Sequence, residues 1–242
     1  MIEAFLVGAL AASTLILGAV LSLLLPIGRR ALGLVLGFGA GVLLSAVAYE
    51  LALAAFETAA WKGAPAIGFV AGVATFSVGS LLIDRCGGGG RMDIGGAGAE
   101  GVALAIVLGI VLDGVPESAV LGLDVLQGDL GLAILVAVLV SNVPEGVAAT
   151  TGLRRAGHST PRILGLWTAV TLVSGLAALV GYVLLDGAPP GALAFVLAFA
   201  GGAILTMLAD TMMPEAFEEG GRWAGVVTAL GFAVAFALSV AG

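Results

Sequence analysis

What most constrains this chain is a succession of apolar runs, each about 20 residues long and separated by short polar stretches. A run of that length crosses the hydrocarbon core of a bilayer as a helix, because lipid offers no partner for backbone N–H and C=O groups. Eight such runs can be drawn, over about 2–25, 31–55, 65–84, 101–123, 130–153, 162–186, 191–214 and 223–242. With 60% hydrophobic and 10% charged residues among 242, and a mean hydropathy of +1.19, little is left for a core outside the membrane. The expectation is an all-α, polytopic membrane protein forming one domain over 1–242, with eight transmembrane helices. The 39 glycines suit close approach of helix backbones in lipid. The first run lacks a basic flank and a small-residue cleavage site, so it reads as a retained span.

Orientation follows from the cations. Arg29 and Arg30 fall in the first loop, Arg85 and Arg91 in the third, Arg154, Arg155 and Arg162 in the fifth and Arg222 in the seventh. Of nine Lys and Arg residues only Lys62 lies in an even-numbered loop. Positive loops stay in the cytoplasm, so both termini should face outward across a cell membrane. The stretch 86–100, rich in glycine, reads as a flexible cytoplasmic loop. It lacks the Gly-Lys-Ser/Thr of a phosphate loop. A net charge of −7 argues against a nucleic-acid partner, and the single cysteine, Cys86, has no intramolecular partner.

Two of the apolar runs carry echoing motifs: Asp113-Gly114-Val115-Pro116-Glu117-Ser118 and Ser141-Asn142-Val143-Pro144-Glu145-Gly146. Asp113 and Glu117 are four apart and share a helical face, as do Ser141 and Glu145. Pro116 and Pro144 cannot donate to the carbonyls of Leu112 and Val140. Carboxylates at membrane depth are costly and mark a functional site by default. Two helices offering carboxylates and freed carbonyls to one point describe a cation site. Glu50 and Asp210, also within apolar runs, are candidates for a gate or for supporting the cation's ligands. His158, the lone histidine, sits among arginines in a loop and reads as solvated.

A second pattern is a repeat. Phe38-Gly39-Ala40-Gly41 matches Phe199-Ala200-Gly201-Gly202, and Ala55-Phe56-Glu57 matches Ala216-Phe217-Glu218, both at an offset of 161 residues. The charge rule runs these two helices in opposite directions. This is the mark of an inverted repeat, helices 1–3 against 6–8 with 4 and 5 inserted, a plan common in secondary transporters.

The 3+2+3 plan with proline-glutamate motifs on helices 4 and 5 resembles the ZIP family of divalent-metal transporters. The family's helix 4 motif reads His-Asn-x-Pro-Glu-Gly, where this chain has Asp113-Gly114-Val115-Pro116-Glu117-Ser118; its helix 5 motif is matched by Ser141 to Gly146. Met213-Pro214-Glu215-Ala216 also looks like that family's helix 7. The resemblance implies a transport site built from Asp113, Glu117, Ser141, Asn142 and Glu145. It puts Ser174 roughly where a helix 6 carboxylate is expected, and Glu215 with the gate or supporting residues. It also implies a prokaryotic plasma-membrane protein that moves a divalent ion towards the cytoplasm. Zn²⁺, Mn²⁺, Fe²⁺ or Cd²⁺ would be the transported substrate, with no organic cofactor, and the plan leaves room for a homodimer.

Rival classes fare worse. A bilayer serine protease needs a histidine base, which no span contains. A metalloprotease needs His-Glu-x-x-His, and the Gly-x-Gly-Asp of intramembrane aspartic proteases is absent. No enzyme is expected. The alternative is a proton or small-solute transporter using the same acids as a relay.

Overall fold

The computed structural model describes residues 1–61, 63–83, 85, 99–128 and 132–241, with side chains for all of these except 99–107, 113, 132, 133 and 241. Lys62, Cys86, Arg91, Asp129 and the glycine-rich stretch 86–98 lie outside the described residues, as does the Asp113 side chain. The described chain is helical, as the apolar runs demand. It forms α1 (Ile2–Leu24), α2 (Arg29–Thr58), α3 (Gly63–Ile83), α4 (Ala99–Gln127), α5 (Leu132–Arg155), α6 (Thr160–Leu185), α7 (Pro190–Gly220) and α8 (Trp223–Ala241). Seven of these, all but α4, are long and apolar enough over their described residues to cross a membrane.

Burial sorts the helices into an inner and an outer set. Within its apolar stretch α5 is 67% buried, against 22% for α3 and 17% for α8. The outer helices turn large apolar side chains outward, among them Val70 and Val78 on α3, Leu172 and Leu176 on α6, and Leu230 and Val234 on α8. An apolar exterior around a more polar interior is the arrangement that lipid selects.

Glycines set the closest crossings, in reciprocal pairs. Gly18 of α1 lies against the Val143 carbonyl of α5, and Gly146 of α5 against the Leu15 carbonyl of α1. Gly122 and Gly181 do the same for α4 and α6, against the carbonyls of Ala178 and Ala119. Gly41 and Gly231 join α2 to α8 at Thr228 and Phe38, while Gly202 and Gly72 join α7 to α3 at Phe69 and Phe199. A methyl group at any of these eight positions would collide with backbone, so glycine is what permits the approach.

The ends of three helices depart from expectation, α4 running to Gln127, past the 123 read from hydropathy. α2 runs to Thr58 and α7 to Gly220, beyond the 55 and 214 read from hydropathy. Each contains a wide π-helical segment, Val47–Leu53 in α2 and Leu208–Met212 in α7. In α7 the α-helical pattern restarts at Met213, which places Pro214 in a first turn where its missing N–H costs nothing. The helix therefore passes through Pro214 and stops at Gly221, whose φ of 63° is open to glycine. Pro116 and Pro144 likewise lie inside continuous helices.

Candidate metal site between the central helices

On α5, Asn142 and Glu145 are three residues apart and share one face; on α4, Gly114, Glu117 and Ser118 do so at spacings of three and four. These two faces, with Ser174 and Val170 of α6 and Ala12 and Leu15 of α1, enclose a cavity of about 10 Å³. That is room for about one water or one dehydrated ion. Glu117 is 3% exposed, Asn142 5% and Glu145 8%, so two carboxyl groups stand almost wholly out of solvent. Ser118 and Ser174 are equally buried. A Cβ on Gly114 would stand 3.6 Å from Ser174 Oγ, an ordinary contact, so the gap between α4 and α6 could accept a side chain.

The polar atoms are oriented by the surrounding backbone. Asn142 Nδ2 donates to the Ala11 carbonyl of α1 at 3.0 Å. A carbonyl can only accept, which fixes the amide nitrogen there and leaves Oδ1 as the acceptor on the other side of the group. Towards the arginine-bearing end of α5, Trp167 Nε1 donates to Thr150 Oγ1 at 2.8 Å, and both side chains are fully buried. This bond ties α5 to α6, the helix that carries Ser174.

The residues singled out by sequence divide. Glu117, Asn142, Glu145 and Ser174 surround the cavity; Ser141 does not. Adjacent helical residues point about 100° apart, so with Asn142 aimed at α1 and the cavity, Ser141 turns elsewhere. It is fully buried, its hydroxyl donates to Val138 O at 3.2 Å, and its Cα lies 3.3 Å from where a Cβ on Gly39 of α2 would be. For Asp113 the structure gives only the backbone, one helical turn before Glu117. Glu50, Asp210 and Glu215 do not line the cavity. Glu50 Oε1 accepts a hydrogen bond from Ser239 of α8, Asp210 is exposed, and Glu215 is half-buried. Ser118 was not singled out by sequence; only the spacing Gly114-Glu117-Ser118 on a single face would have pointed to it.

Among the described residues no group of three or more histidine, cysteine, aspartate or glutamate side chains is assembled. The cavity offers two carboxyl groups, one amide oxygen and two hydroxyls. All are hard oxygen donors, suited to a divalent cation more than to a soft one.

No family model matches the chain. It is 30% identical over 207 residues, 84% of its length, to a protein of Arabidopsis thaliana described as a "putative zinc transporter". The chain spans about a third (33%) of that relative's length. The helical plan, the two proline-glutamate motifs and this similarity all support the resemblance to the ZIP family of divalent-metal transporters.

Proposed function

We propose that this protein carries divalent metal ions across a membrane, with the cavity between α4 and α5 as the transport site. The observation that carries this reading is the burial of Glu117 and Glu145 beside the oriented amide of Asn142, around a space the size of an ion. Carboxyl groups at membrane depth mark a functional site by default, and two of them beside an amide oxygen around an ion-sized space make a donor set that suits a divalent cation. Asp113, one turn from Glu117, is assigned as a third acid of the site. α4 is assigned as the eighth span, and the arginine-bearing end as the cytoplasmic one.

An inverted repeat is supported by more than the matched motif. The reciprocal glycine pairs map onto each other when α1 is exchanged with α6, α2 with α7, α3 with α8 and α4 with α5. Gly41 and Gly202 differ by the same 161 residues as their neighbours Phe38 and Phe199, and the π segments of α2 and α7 also begin 161 apart. Two halves of opposite direction around one central site supply the symmetry that alternating access needs. The proposed direction of net transport is towards the cytoplasm.

The test is metal flux into vesicles holding the purified protein. Saturable uptake of Zn²⁺ or Mn²⁺, lost in Glu117→Gln and Glu145→Gln, supports the reading. Proton flux without metal uptake would assign the same acids to a relay.

A further inference from the structure

At the end of the molecule where the arginines gather, α1 and α5 finish side by side over a pocket of about 370 Å³. It is lined by Ser22, Pro26 and Ile27 from the α1 end and by Thr151, Arg154 and Arg155 from the α5 end. Ser22 Oγ and Thr151 Oγ1 share a hydrogen bond of 3.0 Å, and the Thr151 hydroxyl donates to Val147 O at 2.8 Å. Since each hydroxyl has one proton, Ser22 is the donor to Thr151. Arg154 Nη1 donates to Ser22 O at 3.0 Å, which holds the guanidinium over the pocket and takes up one carbonyl from the last turns of α1. An arginine has five N–H donors, so most of the fork remains for a ligand.

The charge of this pocket is unbalanced. Among the described residues no acidic side chain lines it, in a protein whose net charge is −7. A second arginine-bearing pocket at the same end shows the contrast: there Arg30 and Arg222 are joined by Glu218 and Glu219, and Arg29 pairs with Glu219 at 3.0 Å. One pocket is neutralised from within; the other presents two guanidiniums beside an apolar wall of Pro26 and Ile27. Guanidinium forks match phosphate oxygens bidentately, and basic pockets between the ends of spanning helices suit phospholipid headgroups.

We propose that the Arg154–Arg155 pocket binds a phosphate group, supplied by the headgroup of an anionic phospholipid whose chains run along the apolar wall. The site is independent of the transport reading, since none of its residues lines the cavity between α4 and α5.

The experiment is native mass spectrometry of the detergent-purified full chain, titrated with phosphatidylglycerol, phosphatidylcholine or inorganic phosphate. Phosphatidylglycerol should bind saturably where phosphatidylcholine does not. Arg155→Gln, which leaves the Arg154–Ser22 bond intact, should weaken it about fivefold, and the Arg154→Gln/Arg155→Gln double variant about thirtyfold. Arg30→Gln/Arg222→Gln should bind like the parent. Phosphate competing as strongly as the lipid would keep the anion site but make its source soluble. Equal loss in both double variants, or none in either, would overturn the proposal, leaving Arg154 as a helix cap alone. A melting scan of each variant separates loss of binding from loss of fold.

Discussion

Asn142 shows why single side chains at the site do more than supply an oxygen. Its amide nitrogen is anchored on Ala11 O. Replacing it by aspartate sets a carboxylate oxygen against that carbonyl, two acceptors facing each other in a buried place. Asn142→Asp should therefore lower stability by about 1–3 kcal/mol, the usual cost of an unsatisfied buried polar group, while Asn142→Gln keeps the chemistry at the wrong reach. Melting temperatures in detergent test this; an Asn142→Asp variant as stable as the parent would mean the Ala11 bond is not what orients the group. Metal choice also belongs to this scale. Every polar side chain lining the cavity offers an oxygen, and zinc is held best when nitrogen or sulfur contributes. Asp113→His should shift competition uptake towards Zn²⁺ and Cd²⁺ over Mn²⁺, and an unchanged ratio would exclude Asp113 from contact with the ion. The acids of the site were legible in sequence because a carboxylate in a 20-residue apolar run is conspicuous. The direction of Ser141 was not: spacing says which residues share a face, and only packing against Gly39 says which neighbour that face meets.

At the scale of the helix, glycine and proline do different work. Pro144 leaves the Val140 carbonyl without its helical donor, yet α5 stays continuous, as spanning helices packed among others tolerate an interior proline. Glycines instead set interhelical distance, and their substitution should be costly in matched pairs. Gly41→Ala would push a methyl into the Thr228 carbonyl and Gly202→Ala into that of Phe69. Each should destabilise by about 1–3 kcal/mol, the range for overpacking. Gly165 of α6 has nothing within 4 Å of its Cβ position, so Gly165→Ala should be neutral or gain up to about 1 kcal/mol from helix propensity. Thermal unfolding in one detergent would rank the three; Gly41→Ala matching Gly165→Ala would refute the close crossing. Hydropathy located the helices but not their full lengths in α2 and α7. It averages over residues and cannot register a π segment, which changes the hydrogen-bond pattern without changing composition.

For the whole molecule, the arrangement read from sequence rests on charge, and contacts bear on it directly. Arg29 at the start of α2 pairs with Glu219 near the end of α7, and Arg154 at the end of α5 reaches Ser22 near the end of α1. Four helix ends carrying or meeting arginine are thus brought to one side, as alternating helices with cations in odd-numbered loops require. Which side faces the cytoplasm is beyond any contact within the chain, because the bilayer's asymmetry lies outside it. Labelling from one face of the membrane decides it. In a Cys86→Ser background, Lys62→Cys should react with a membrane-impermeant maleimide added to intact cells, while Arg162→Cys should react only after the membrane is opened. Arg162 is the better reporter, being exposed at the start of α6 and apart from the Arg154–Arg155 pocket. Labelling of both from outside, or of neither, would break the alternation and with it the pairing of α2 and α7 as opposed halves. The reverse pattern, Arg162→Cys outside and Lys62→Cys inside, would keep the helical plan but invert the protein. The arginine end would then be the side from which an ion enters.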